Sequence, residues 1–211
     1  GSLTKQLINK FNLMSGKNPQ NWAIGVKELW QLPEKKLSDG FVAHTLGFPL
    51  GHSLFGGGWI YTMKNNILDL GIMLGLDYKN PEIDPHHELQ LLKTHPWIKD
   101  LLKGAEIIAY GSKTLPEGGL FSIPKLFVDG AMLIGDSAGF LNGQRLKGIH
   151  LAMKSGILAS EAALEALKKN DFTEKTLSSF ESKFKGSWAY KELYESRNFH
   201  QGFKKGLIHG L

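Results

Sequence analysis

Glycine constrains this chain more than any other residue. It occupies 25 of 211 positions, mostly in the first two-thirds, where short apolar runs are punctuated by Gly, Pro and Asn. That punctuation, from Trp22 to about Ile134, predicts strands and turns. Trp22 to Trp30 and Phe41 to Phe48 read as strands. Trp59 to Met63 and Ile67 to Leu76, joined by Lys64-Asn65-Asn66, read as a β-hairpin. Helices are expected at Leu3 to Leu13 and at Pro85 to Leu102, where Leu89, Leu92 and Trp97/Ile98 mark one face. After Ile134 the character changes. Leu146 to Leu167 is rich in Ala, Leu, Met and Ile and ends on Lys168-Lys169, cations that suit a helix C-terminus. Its apolar positions run nearly all the way round, which predicts a helix buried on most sides. A further helix is expected over Glu174 to Arg197, with Phe180, Phe184 and Trp188 as a core-facing stripe. No βαβα rhythm runs through the chain. The fold class expected is α+β: a mostly antiparallel sheet with flanking helices, plus one strand–turn–helix.

Composition removes several chemistries. With no cysteine, the chain has no disulfide, no thiolate metal site and no cysteine nucleophile. No run approaches the roughly 18 apolar residues of a membrane-spanning helix. Gly1-Ser2 reads as a tag-removal scar with no signal peptide behind it. From Lys168 onward nine basic residues face five acidic ones, a net +4. Such a bias suits solvated helix faces, an anionic membrane surface or an acidic partner. No aromatic–basic interleaving points to nucleic acid.

Two glycine motifs carry the chemistry. Ala131 to Gly139 takes an apolar strand into a Gly-rich turn, with a long helix to follow. The turn matches the nucleophile elbow G-x-S-x-G at Gly135-Asp136-Ser137-Ala138-Gly139. A serine hydrolase also needs a downstream acid and histidine on strand-borne loops. The 72 residues after Gly139, with Asp171, His200 and His209, read as helical instead, and His52 before Gly56-Gly57-Gly58 mimics an oxyanion loop only loosely. The same turn suits a flavin: a carboxylate at a strand end accepts from ribityl hydroxyls, and a helix N-terminus favours an anionic ring. A glycine-rich tight turn with Asp136 as a helix cap is the bland alternative. The second motif, Phe55-Gly56-Gly57-Gly58-Trp59, is either a hairpin glycine cluster or bare backbone against which a flat apolar ligand lies. Asp84, His86, His87 and His95 lack metal-ligand spacing, so no metal is expected.

Five stretches together resemble the electron transfer flavoprotein–ubiquinone oxidoreductase family: Ile24 to Trp30, Phe55 to Tyr61, Gly75 to Pro81, Gly118 to Leu126, and Gly135 to Asn142 with Leu146 to Gly148 and Ala152 to Leu158. Trp188 to Asn198 is similar as well, so the resemblance covers essentially the whole chain. It implies an internal piece of a larger enzyme, with residues 1–130 as a ubiquinone-binding domain and 131–211 as the C-terminal part of a FAD-binding domain with a helical extension. It implies FAD and, in the full-length parent only, a [4Fe–4S] cluster. The partners it implies are ubiquinone, reduced electron transfer flavoprotein and the surface of an inner or cytoplasmic membrane, the piece itself being soluble and inactive alone. By position, Gly56 and Gly57 match the quinone-binding glycines, with a Gly57 N–H expected at the quinone oxygen. Gly135, Asp136, Gly139, Asn142, Lys147 and Gly148 match the flavin-binding segment. No side chain is expected to act as an acid–base catalyst. Two departures stand out: Asp136 replaces a Cys found in some members, and Ile149 replaces a common Thr, removing one side-chain donor. A prenyl-lipid reductase of related type is the runner-up.

Overall fold

A computed structural model of the protein describes residues 2–51 and 54–202; His52 and His209 lie outside them. The elements run α1 (Ser2–Lys10), β1 (Trp22–Gln31), β2 (Val42–Thr45), β3 (Gly56–Met63), β4 (Ile67–Gly75), α2 (Pro85–Leu92), α3 (Pro96–Leu101), β5 (Glu106–Pro116), β6 (Phe127–Val128) and β7 (Ala131–Met132). They continue as α4 (Ile149–Lys169), α5 (Glu174–Leu177), α6 (Ser179–Lys185), α7 (Trp188–Glu195) and α8 (Phe199–Gly202). The class is α+β.

The chain divides into two compact units. One holds Trp22–Leu115; the other joins the segment up to Asn21 to the chain from Pro116 onward. Residues 2–21 and 116–130 therefore pack with the C-terminal part rather than with the sheet. Long-range backbone bonds explain the grouping: Asn18 N–H donates to Phe121 C=O, Lys125 N–H to Leu13 C=O and Glu117 N–H to Asn21 C=O, at 2.8–2.9 Å. These pairings join stretches about a hundred residues apart, and no local pattern announces them.

The first unit is a five-stranded sheet ordered β2-β3-β4-β1-β5. β1 pairs antiparallel with β4, and β3 with both β2 and β4. The expected hairpin is present: Asn65 and Asn66 turn it with φ of 62° and 56°, a left-handed conformation that asparagine tolerates. One face of the sheet (Ile60, Leu68, Leu70, Ile72, Leu74) packs on Leu89 and Leu92 of α2 and Ile98 and Leu101 of α3. The helix expected from Pro85 to Leu102 is two helices. Pro96 has no N–H to donate and forces His95 to ψ 129°, which ends the first and starts the second. A buried ion pair ties α2 to β1: Lys93 Nζ is 2.8 Å from Glu28 Oε2, whose carboxylate also accepts from Trp30 Nε1 at 3.0 Å.

The second unit centres on α4, whose Leu151, Leu158, Ala162 and Ala166 pack with Phe140, Phe180 and Phe184. Asn170 ends α4 in the left-handed conformation (φ 48°), its N–H on the last carbonyls. The expectation that α4 is buried on most sides fails. Ile149, Met153, Ile157, Leu164 and Leu167 form an exposed apolar stripe opposite the packed face. The helix expected over Glu174 to Arg197 is also interrupted. Gly186 closes α6, and the Ser187 hydroxyl caps α7 by accepting from Tyr190 N–H. Phe180 and Phe184 are buried as expected, but Trp188 is half exposed.

Candidate functional site

The glycine run at the start of β3 is enforced by its own sheet. A Cβ on Gly56 would overlap the Met73 carbonyl oxygen and stand 2.8 Å from Leu50 Cδ1; one on Gly57 would overlap the Thr45 carbonyl oxygen. One on Gly58 would lie 2.6 Å from Thr45 Oγ1 and 2.8 Å from Leu92 Cδ2. Two bonds at the edges of the ladder fix its alternation. Gly75 N–H donates to Phe55 C=O on the β4 side, and Thr62 N–H donates to Phe41 C=O on the β2 side. Odd residues of β3 thus turn their backbone groups to β4 and even ones to β2. Gly57 stands opposite Met73 in the ladder. Gly56 faces the β2 side, past the last β2 pair, Thr45 with Gly58.

Trp59 and Tyr61 share one sheet face with Gly57, because strand side chains alternate. The indole of Trp59 lies over Gly71, where a Cβ would enter the ring, and its Nε1 donates to Asp69 Oδ1 at 3.0 Å. His44, opposite Trp59, has Nε2 2.7 Å from the Tyr61 hydroxyl. Beside this strand Val42, Leu46, Phe48 and Trp97 are exposed apolar side chains. Phe41 packs edge-on to Trp97, and Phe48 stands 6.1 Å from His95.

In the second unit, β7 leads into a single 3-10 turn over Asp136–Ala138. Gly135 (φ 65°, ψ −155°) and Gly139 (φ 87°) bracket it in conformations that side chains disfavour. Gly135 N–H donates to Ser155 Oγ at 2.9 Å, and Ser155 Oγ donates to the Ala152 carbonyl, which fastens the turn to α4. Asp136 is exposed. The long helix does not follow at once. Phe140 plugs the core, a loop runs from Asn142 to Lys147, and α4 begins at Ile149 after Gly148. A Cβ on Gly148 would come within 2.9 Å of Leu141 Cδ1. The serine-hydrolase geometry is not met: Ser137 sits in the 3-10 turn rather than on a strand-to-helix elbow, and the Asp171 carboxylate is engaged by Thr173 N–H and the Thr176 hydroxyl. Asp84 caps α2 by accepting from His86 N–H, and no metal-holding group occurs among the described residues.

Asn142 is buried and fully engaged. Its backbone exchanges both bonds with Lys147, Oδ1 accepts from Arg145 N–H, and Nδ2 donates to Glu192 Oε1 at 2.9 Å. His150 Nε2 meets the same Glu192 oxygen at 2.9 Å while its ring stacks on Trp188. Glu192, His150 and the His44–Tyr61 pair escaped sequence reasoning. Period-2 alternation along β3 could have grouped Trp59 and Tyr61 with Gly57. Nothing local links Glu192 to residues more than forty positions away.

Comparisons with known proteins bear on both motifs. Residues 22–115 match a family model described as "ETF-QO, ubiquinone-binding". Over its whole length the chain is 44% identical to the mitochondrial electron transfer flavoprotein-ubiquinone oxidoreductase of Dictyostelium discoideum, of which it covers 37%. It is 46% identical to that of Sus scrofa over 94% of this chain and 33% of the relative. The chain thus spans about a third of the length of these relatives. Among solved structures, a geranylgeranyl bacteriochlorophyll reductase-like protein from Thermoplasma acidophilum aligns with TM-score 0.67 at 18% identity, covering 82% of this chain and 41% of that one. A flavin-dependent brominase aligns with TM-score 0.59 at 20% identity, over 93% of this chain and 49% of its own. These two likenesses are of fold.

Proposed function

We infer that this chain, related along its whole length to electron transfer flavoprotein–ubiquinone oxidoreductases, belongs to that family and supplies its quinone-binding domain and one part of its FAD site. The observation that carries the reading is the crowded glycine run at Gly56–Gly57, which falls inside the segment matching a ubiquinone-binding family model. The whole enzyme passes electrons from reduced electron transfer flavoprotein to ubiquinone.

On the quinone side, a backbone N–H of the Gly56–Gly57 pair, as expected at Gly57, donates to a quinone carbonyl at the end of β2 and stabilises charge that grows there on reduction. Gly57 keeps that edge thin, since any side chain would push Thr45 and the end of β2 away. The exposed Val42, Leu46, Phe48 and Trp97 form the lipid-facing approach for a hydrophobic quinone tail and rest on a membrane surface. No helix among the described residues is long and apolar enough to cross a membrane.

On the flavin side, the residues present suit FAD. Asp136 offers an exposed carboxylate to ribityl hydroxyls, and Gly135 beside it carries no side chain to obstruct a cofactor, while Gly139 is buried against Gln20 and Ile123. Asn142, Lys147 and Gly148 hold the entry to α4 against the flavin end. When bound, FAD supplies the electron-carrying chemistry, and the protein contributes position and electrostatics. A thiolate-held [4Fe–4S] cluster does not fit this chain, which has no cysteine; in the parent enzyme it belongs to other segments. The 41–46% identity to the ubiquinone oxidoreductases supports this reading over a prenyl-lipid reductase.

The test is a comparison of the full-length protein with this chain alone. The full-length protein is expected to show a flavin spectrum and to reduce a short-chain ubiquinone with reduced electron transfer flavoprotein. Asp136→Ala is expected to weaken FAD binding. This chain alone is expected to be colourless and inactive. A flavin spectrum from the isolated chain, or a full-length protein that fails to reduce ubiquinone, contradicts the reading.

A further inference from the structure

Glu192 on α7 gathers both ends of the loop that leads into α4. One carboxylate oxygen, Oε1, accepts from Asn142 Nδ2 and meets His150 Nε2, both at 2.9 Å; Arg145 Nη1 stands 3.7 Å from Oε2. Asn142 opens the loop and His150 lies just beyond its close, so one oxygen staples the two together. The Glu192 side chain is only 12% exposed. Burial by itself would raise its carboxyl, but the Asn142 amide, the His150 ring and Arg145 outweigh burial and hold it below the ordinary carboxylate value.

The loop needs such a staple. Leu146 sits in the left-handed region at φ 54°, a conformation that a leucine adopts only under strain. A strained, exposed residue persists only where its surroundings over-determine it. Asn142 supplies part of that constraint through Lys147 and Arg145, and Glu192 anchors Asn142 in turn. The flat stack of His150 on Trp188 (5.8 Å between centroids) keeps the imidazole aimed at the carboxylate.

We propose that Glu192 is a positioning residue for the flavin: through Asn142 on one side and His150 on the other, it holds the Asn142–Gly148 loop and the first turn of α4 in the geometry that meets the cofactor. This rests on the reading of Lys147 and Gly148 as flavin contacts, with the buried Asn142 holding them in place. Glu192 itself touches no cofactor. Its contribution is to keep the backbone at Gly148 and Ile149 from rearranging when the site fills.

The experiment uses the full-length, FAD-loaded protein with Glu192→Ala and Glu192→Gln. Amide hydrogen exchange is read at residues 143–147, with the buried turns of α4 as internal control, alongside the FAD dissociation constant and the melting temperature. Glu192→Ala is expected to speed loop exchange and to weaken FAD binding, each about tenfold, while α4 stays protected. Glu192→Gln keeps an oxygen for Asn142 and His150 and is expected to recover most of both losses. Unchanged loop exchange in Glu192→Ala overturns the positioning role. A loosened loop with unchanged FAD affinity overturns the flavin assignment of the loop, and the inference with it. General melting of α4 in both variants, without a separate loop effect, marks Glu192 as merely structural and also overturns the proposal.

Discussion

Gly57→Ala adds one methyl where the sheet has no room for it. The new Cβ would overlap the Thr45 carbonyl oxygen and come within 3.3 Å of Leu46 Cδ2. The carbonyl is backbone at the end of β2 and cannot swing aside, so β2 or β3 must shift. Inserting a methyl into a packed region of this kind costs about 1–3 kcal/mol. For a unit of this size each kcal/mol lowers the melting temperature by about 4–8 °C, so a fall of about 5–20 °C is expected. Gly111→Ala is the matched control, because a Cβ there meets nothing within 4 Å; its effect is expected to stay within about 0.5 kcal/mol. Thermal unfolding followed by circular dichroism reads both. If Gly57→Ala melts with Gly111→Ala, the glycine run is not required by packing and the crowding argument is wrong.

Three further outcomes follow from other parts of the molecule. Lys93→Met strands the buried Glu28 carboxylate and should cost about 3–5 kcal/mol in chemical denaturation, while the double variant Glu28→Leu/Lys93→Met should recover most of it. The lowered carboxyl of Glu192 means that the unfolded chain binds its proton first on acidification. Its contribution is therefore full above the unfolded value near 4.5 and is lost as pH falls through the lower folded value; Glu192→Gln should flatten the acid limb of the stability–pH curve, and an unaltered limb would count against the network. Leu146→Gly relieves left-handed strain of about 1–2 kcal/mol at an entropic cost of about 0.5–1 kcal/mol for the added glycine, and should raise stability by about 0.5–1 kcal/mol, a gain that equilibrium unfolding resolves.

Much of the sheet was legible because its signals are local. The Lys64-Asn65-Asn66 turn and the β-rich arms around it marked the hairpin, and Gly56-Gly57-Gly58 marked bare backbone at the start of β3, though not that the neighbouring strands crowd it. β5 was not singled out, although Glu106-Ile107-Ile108-Ala109-Tyr110 carries β-branched residues; it is an exposed strand without the alternation that marks a buried one. Helix interruptions at Pro96 and Gly186-Ser187 were readable in principle, but long apolar periodicity overrode them. The α4 stripe misled for a different reason. Composition reports that Ile149, Met153 and Ile157 are apolar, not whether anything in this chain covers them. At the turn after β7, Gly135 and Asp136 stood out, whereas the Ser155 hydroxyl under Gly135 and the Glu192 staple depend on contacts 20 and 50 residues apart. Such contacts exist only once the helices have packed.

The central claim is that the glycine run at the start of β3 receives a quinone. It is tested most directly by photolabelling the full-length protein with an azido-ubiquinone and sequencing the labelled peptide. Label is expected on the stretch from Leu46 to Trp59, displaced by excess ubiquinone and lost in Gly57→Ala at a temperature where that variant is folded. Label confined to other segments, or insensitive to competing ubiquinone, would contradict the assignment.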